Sequence, residues 1–420
     1  MRPRGGARLY SPDRVAMPVP RVRSIVALAT AALGVCLAAA GARAGEPVSL
    51  LGGRVRLGGE VSGTIAPEDL GWFNYSDYGA STLRLFRVDL MAEARLASFA
   101  AVLFDVRSDN LEAPRVYALY LRLRPWAGRE LDLQAGLVPP VFGAFPRRRY
   151  AYDNPLPSLP LAYQYLTNLR EDAVPSRSEE LVVQRGRGWL VRYPVGSTEP
   201  GPGLPLVNAE RWDSGVQLRL GREPLSLALA VTQGTLCYPR VRDDNDGKQV
   251  SGRLAWTPSP SLVAGVSGAV GEFLAREVQD VIPASARGTY RQKAAGLDLQ
   301  WSYGYWIVRA EAVWSRFTLP TLDATRIEEP LDALGLFAEA RYKLRPGLYA
   351  AARAERLAFS EIPSAAGLRT WDAPVTRVEA GAGWTPRRHV LLKASWQHNW
   401  RDGGAVREND LVAGQVVLWF

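Results

Sequence analysis

The chain has 420 residues, of which 51 are Lys or Arg and 42 are Asp or Glu, giving a formal charge of +9. Seven of the basic residues and one acidic residue lie within 1–44, so the rest of the chain holds 44 against 41 and is nearly neutral. The basicity therefore does not argue for nucleic acid, which would need a basic stripe or a recognisable module, and with Cys36 and Cys237 as the sole cysteines no disulfide can brace a form cut after residue 44.

Arg21 and Arg23 lead into the apolar run Ile25 to Ala40, and Ala42-Arg43-Ala44 supplies a small-x-small cleavage site before Gly45. Residues 1–44 are expected to be a secretory signal peptide, with Met17 as an alternative start, and residues 45–420 the exported protein. Val35 is too large for the small residue needed before a lipid-modified cysteine, so Cys36 is not expected to carry lipid. About nine residues precede the first strand-like segment, too few for an N-terminal plug domain.

No exported segment has the roughly 18 or more continuous apolar residues of a spanning helix. Alternation with a period of two recurs instead. It marks sixteen segments, near 54–65, 82–96, 98–109, 115–124, 131–138, 213–221, 225–236, 249–256, 262–274, 290–301, 305–317, 332–344, 348–360, 376–384, 390–400 and 410–420. Segments of about ten residues, apolar on one face and polar on the other, are the signature of strands in a transmembrane barrel. The sequence thus predicts an all-β fold, a transmembrane antiparallel β-barrel of about sixteen strands. Eighteen remain open if the hairpin-like stretch 181–193 enters the wall.

The polar parity fixes which side chains would line a lumen. Arg54 and Arg56 belong to it in the first segment, Arg87 and Asp89 in the second, Arg107 in the third, and Arg122 and Arg124 at the end of the fourth. Later segments add Arg309, Glu311, Arg341, Lys343 and Lys393. Basic residues outnumber acidic ones on this face, and rings of Arg and Lys favour anions in pores. Connections after even-numbered segments are short and most of those after odd-numbered ones are longer, the asymmetry expected of periplasmic turns and extracellular loops. Trp126, Trp256, Trp301, Trp306 and Trp384 lie beside the short turns, and Trp314, Trp396 and Trp400 beside the long loops, as in two interfacial girdles.

One connection stands apart. Residues 139–212 form a long loop with Pro139-Pro140-Val141-Phe142-Gly143 at its start, then Arg147, Arg148, Arg149 and Tyr150, then the apolar run Leu161-Ala162-Tyr163-Gln164-Tyr165-Leu166. Loops of this length are functional or disordered, and the apolar content favours packing inside the barrel. The loop is expected to fold inward and constrict the pore, with Arg147, Arg148, Arg149 and Tyr150 at the eyelet or, alternatively, at a solvated extracellular tip.

The chain closes on Val416, Leu418 and Phe420, one face of a strand ending in an aromatic. That is the assembly signal that outer-membrane barrels present to the barrel assembly machinery, although Gln415 stands where the usual signal has glycine. Gly58, Gly59 and Gly63 in the first segment would let neighbouring barrels approach, or relieve strand curvature.

The strand end Leu133-Gln134-Ala135-Gly136-Leu137 running into Pro140-Val141-Phe142-Gly143 resembles the start of the constriction loop in the phosphate-selective porin O/P-like family, within the wider porin superfamily of Gram-negative outer membranes. Val141 departs from the family's Pro-Phe-Gly. The resemblance implies a porin, usually a homotrimer, that forms a water-filled channel for passive diffusion of small anionic or neutral solutes. Its surroundings would be outer-membrane lipid and lipopolysaccharide. Two other readings stay open: a structural or adhesive surface barrel closed by its own loop, and an outer-membrane hydrolase built on His398, for which no nucleophile can be nominated. An enzyme, a cofactor and a nucleic-acid partner are not expected. Nor is a metal site, since Arg242 occupies the first ligand position of the calcium-loop-like stretch Asp243 to Gly247.

Overall fold

The structure, a computed structural model, describes residues 47–420 apart from 76–79, 127, 129, 243–244, 246, 285–288, 321–326 and 328. The predicted signal peptide, Met17 and Cys36 lie outside the described residues. Sixteen antiparallel strands build the barrel wall, with the three-residue strand Val48–Leu50 added against the first of them: β1 Val55–Ile65, β2 Phe86–Ala97, β3 Ala100–Asp109, β4 Arg115–Leu123, β5 Leu131–Val138, β6 Asp213–Arg222, β7 Leu225–Thr232 and β8 Gln249–Ser259. They continue with β9 Leu262–Gly271, β10 Arg291–Tyr303, β11 Trp306–Thr318, β12 Leu331–Arg345, β13 Leu348–Phe359, β14 Val375–Arg387, β15 Val390–Arg401 and β16 Glu408–Trp419. Each pairs with its neighbours in sequence, and β16 closes on β1 with Gly414 opposite Ile65 and Trp419 opposite Glu60. Closure pairs the backbone strand to strand and leaves no edge, which is what allows strands to cross a membrane. Among the described residues no helix is long and apolar enough to do so.

The alternation read from the sequence becomes two faces. In β12, Ala333, Phe337 and Glu339 point inward and are buried, whereas Leu334 and Leu336 point outward and are 38 % and 41 % exposed. At one end six of the connections are two-residue turns, among them Gly304-Tyr305, Pro346-Gly347 and Arg388-His389. Gly304, Gly347 and His389 take positive φ there, as tight hairpins of this hand require. At the other end the connections run to 66–85, 139–212 and 272–290, so that end is the extracellular one. Trp126, Trp256, Trp301, Trp306, Trp384, Trp396 and Trp400 are all exposed on the outer wall near strand ends.

Phe420 has a specific seat. Its N–H donates to the Gly59 carbonyl at 3.1 Å, and the Gly59 N–H donates back at 3.2 Å. A Cβ on Gly59 would stand 2.9 Å from the Phe420 ring, so glycine is required under the terminal aromatic. Gly58 faces Met91 within the barrel. These contacts give Gly58 and Gly59 roles within one barrel.

The long loop does fold inward, carrying a short helix Leu161–Gln164, a second helix Ser178–Val183 and a two-residue strand pair, 173–174 with 195–196. The stretch 181–193 is not a wall hairpin: Leu181 to Val183 close the second helix, and Val191 bridges to Gly201. The eighteen-strand alternative falls, because those residues find their partners within the loop. Phe142, Phe145, Tyr163 and Leu206 of the loop share one apolar cluster with the inward Ala294, Val313, Phe317, Phe337 and Leu357 of β10 to β13. Each large side chain so buried contributes about 1.5–3 kcal/mol.

Candidate functional site: the loop-filled lumen

Pro139 and Pro140 carry no N–H, so the β5 ladder cannot continue through them and the chain turns into the lumen. Val141 then packs on Ala228 and Ala230 of β7. At Gly143 φ is +63°, and a Cβ would stand 2.0 Å from the Glu311 Oε1, so only glycine lets the backbone reach this carboxylate. Glu311 accepts the N–H groups of Ala144 and Phe145, each at 3.3 Å, and the Tyr163 hydroxyl.

Three more wall carboxylates do the same. Glu60 accepts from the Ala151 and Tyr152 N–H at 2.9 and 3.0 Å, Glu355 from the Leu161 N–H at 2.6 Å, and Glu379 from the Ser158 hydroxyl. Lys393 donates to the Ala151 carbonyl at 2.6 Å. Above them, in the connection between β13 and β14, Asp372 accepts from the Asn168 and Gly186 N–H at 2.9 and 2.8 Å. Irregular backbone buried inside a barrel must find its hydrogen-bond partners within the protein. The inward charges of β1 and β11 to β15 supply the missing partners.

The segment Phe145 to Tyr152 is thereby stretched across the lumen, and the three consecutive arginines meet different fates. Arg148 donates to Glu339 of β12 at 2.7 Å, a carboxylate shared with Arg309 at 3.3 Å and Arg353 at 3.4 Å. Burial, only partly offset by Glu339, pulls its pKa down to about 10. Arg149 reaches the opposite wall, at 3.1 Å from Asp105 of β3, and lies over the rings of Tyr150 and Trp212. Tyr150 donates to the same Asp105 at 3.1 Å and is buried.

Arg147 alone of the three is exposed to the lumen, with no carboxylate partner among the described residues. Enclosure by the barrel, followed by repulsion from Arg219 and Arg253, pulls its pKa down to about 10, and Asp298 opposes the shift. That aspartate is already held by Arg253, with Nε to Oδ2 at 2.9 Å. Arg219 and Arg253 line the lumen from β6 and β8, and sequence parity places both there.

The remaining nominated residues divide by depth. Toward the short-turn end Arg54, Arg56, Arg95 and Lys343 are exposed, while Arg122, Arg124, Arg309 and Arg341 are half-buried, so this half of the lumen is a basic cup. Arg124 is tied to Asp132 at 2.7 Å and Arg122 to Glu93 at 3.4 Å. At mid-height the expectation of an open lining needs correction. Asp89 and Arg107 are buried and bound to each other at 2.7 Å, and Glu311 and Lys393 face the loop. All four have the predicted inward parity, but the loop fills the space they would have lined. Tyr117, Tyr120 and Trp212 pack together between cup and extracellular vestibule, each less than a tenth exposed. Arg353 and Glu355, not singled out from the sequence, are buried partners of the loop, and alternation along β13 is the signal that marks them inward.

His398 lies on the outer wall with its Nδ1 2.8 Å from Asp410 and its ring against Trp400. Its partners in register are Val378 and Asp410, so no hydroxyl stands opposite it on either neighbouring strand.

No protein-family profile and no curated protein matches the sequence. Solved structures do match the fold. OmpF of Salmonella typhi, in complex with daunomycin, shares 12 % identity over 87 % of this chain and 97 % of its own, with a TM-score of 0.53. The outer membrane channel DcaP of Acinetobacter baumannii shares 10 % identity over 90 % of this chain and 100 % of its own, with a TM-score of 0.52. OmpT of Vibrio cholerae, in a trimer form, shares 10 % identity over 87 % of this chain and 99 % of its own, with a TM-score of 0.51. At these identities the likeness carries the architecture alone, a closed sixteen-strand antiparallel barrel.

Proposed function

We propose that this protein is an outer-membrane porin, a narrow channel for small solutes whose periplasmic half favours anions. The observation that carries the preference is Arg147, exposed and without a carboxylate partner among the described residues, in the field of Arg219 and Arg253 while Asp298 is engaged by Arg253. A guanidinium without a carboxylate partner, beside two further arginines in a confined space, lowers the energy of a passing anion and raises that of a cation. Arg148, Arg149 and Tyr150 act in this reading as anchors of the constriction, which hold Arg147 in place. The reading includes export by a cleaved signal peptide, insertion by the barrel assembly machinery through the Val416, Leu418 and Phe420 face, contact with outer-membrane lipid and lipopolysaccharide, and a homotrimer. It contains no catalytic step, since His398 has no nucleophile opposite it.

A planar bilayer with a salt gradient tests the proposal. The reversal potential should have the anion-selective sign, and Arg147→Ser should shift it toward zero; a cation-selective sign, or no response to Arg147→Ser, overturns it. Phosphate as the favoured solute rests on the resemblance at Pro140 to Gly143, and replacing chloride by phosphate in the same cell tests that finer point.

A second reading, a barrel closed by its own loop, is favoured by the buried Tyr117, Tyr120 and Trp212. Stable ohmic steps in single-channel recordings decide for the porin, and their absence decides for the closed barrel.

A further inference from the structure

Aromatic rings continue below the constriction. Tyr150 stacks on Tyr152 with centroids 5.1 Å apart and planes 14° apart, and Tyr152 meets Trp419 at 5.3 Å. Trp419 in turn meets His389, in the turn between β14 and β15, at 5.3 Å. Trp419 shares the inward parity of Val417 and packs with the loop, so four rings in contact descend from the constriction to the short-turn end. Tyr150 is buried, whereas Tyr152 and Trp419 keep part of their surface open. Filling of space accounts for Tyr150 and leaves that open ring surface without a task.

Tyr152 and Trp419 form one side of a cavity of about 400 Å³, and Arg56, Met91, Leu103 and Tyr120 from β1 to β4 form the other. Its charges are matched except at one point. Asp105 holds Arg149 at 3.1 Å. Glu93 stands opposite Arg56 in register, yet it is taken by Arg95 at 3.3 Å and Arg122 at 3.4 Å. Arg56 itself is exposed and has no carboxylate partner among the described residues. The Tyr120 and Tyr152 hydroxyls likewise donate no hydrogen bond among the described residues. Residues 45 and 46, ahead of Pro47 at the cavity's edge, lie outside the described residues.

A free guanidinium beside open ring surface suits a ligand that presents an anion and a flat apolar face together. A carboxylate meets a guanidinium through two parallel hydrogen bonds, and aromatic rings prefer offset or edge contacts with one another. Chloride or phosphate would use the arginine and leave the rings bare, while a neutral sugar would cover the rings and leave the arginine unpaired. We propose that the cavity, at the small end of the range for ligand sites, is a binding subsite for aromatic monocarboxylates of about the size of benzoate, the carboxylate on Arg56 and the ring against Tyr152 and Trp419. The subsite names a solute class for the channel proposed above and rests on that reading, but it uses residues separate from Arg147, which lies by β6 and β8.

The test is saturation-transfer NMR on the folded full-length protein in detergent micelles, titrated with benzoate. Binding at equilibrium needs access from the short-turn end alone, so its failure is distinguishable from failure of the channel reading, which the reversal potential reports. A saturable signal from the ring protons is expected, and Arg56→Gln should weaken binding about tenfold. Cyclohexanecarboxylate, with the same charge and no flat face, should bind about fivefold more weakly than benzoate, and Tyr152→Leu should narrow that difference. Arg56 is exposed, and the shift in gel mobility on heating verifies that each variant is folded. Any of the following overturns the proposal: a signal that grows linearly with detergent and so reports partition into micelles, equal binding by Arg56→Gln, an unchanged preference for benzoate in Tyr152→Leu, displacement of benzoate by equal concentrations of acetate or glucose, or a tenfold gain in Glu46→Gln, which would show Arg56 already paired.

Discussion

The two sides of the lumen carry the same alternation and put it to opposite uses. On the side of β11 to β15 the inward charges are consumed by the loop: Glu311, Glu355 and Glu379 accept its donors, and Arg353, fully buried, joins Glu339, Glu355 and Glu379. Around the periplasmic cup away from those strands, Arg54, Arg95 and Arg147 remain in contact with water. A buried charge that is paired and hydrogen-bonded fixes a conformation, whereas an exposed one sets a potential. The difference separates residues that hold the constriction from residues that select what passes it.

Removing the hub of the docked side should have the largest effect. Glu339→Ala strands the buried Arg148 and takes one partner each from Arg309 and Arg353, and breaking a buried charge group in this way costs about 3–5 kcal/mol. The loop should undock, visible as noisy or enlarged conductance and as proteolysis within 139–212. If neither changes, the docked side is not held by its charges. Glu311→Ala should come next, at about 1–3 kcal/mol for each donor left unsatisfied among Ala144, Phe145 and Tyr163. Denaturation in detergent, followed by gel mobility, measures it.

On the cup side the expected pattern reverses. Arg219→Ser should cost less than about 1 kcal/mol, since the half-buried Arg219 holds no ion pair among the described residues, and reduce anion preference in the same bilayer cell as Arg147→Ser. A large loss of stability there would erase the contrast between the two sides.

The smallest effect concerns pH. Burial holds the Asp372 carboxyl up at about 6, with the N–H donors of Gly186, Ala373 and Asn168 opposing the shift. The folded value is raised above the unfolded one, so its contribution is fully present below the unfolded pKa of about 3.9 and is lost as pH rises through about 6. Corrected amide exchange at Asn168 and Gly186 should therefore be slower near pH 4 than near pH 7, and Asp372→Asn should flatten the difference.

Much of this was legible in the residues. Sixteen strands, their bounds to within a few positions, the short-turn and long-loop ends, the tryptophan belts and the inward parity of Arg87, Glu311 and Lys393 all follow from a period of two. The site was legible only as a face. Arg147, Arg148 and Arg149 read alike in sequence, and nothing local says that one reaches β12, the next β3, and the first neither. Asp372 gave no signal at all, because its partners lie some two hundred residues away in the loop. Gly59 reads in sequence as an approach between barrels or a relief of strand curvature, and its close contact with the Phe420 ring is visible only in the fold.

The sequence by itself determined the wall, since strand alternation, turn residues and a terminal aromatic are local and a membrane permits few ways to satisfy the backbone they create. The tertiary structure alone decided which lumenal charges are free. That depends on where residues 139–212 cross the barrel, and their course is set by distant carboxylates that bond their backbone, which no local pattern encodes.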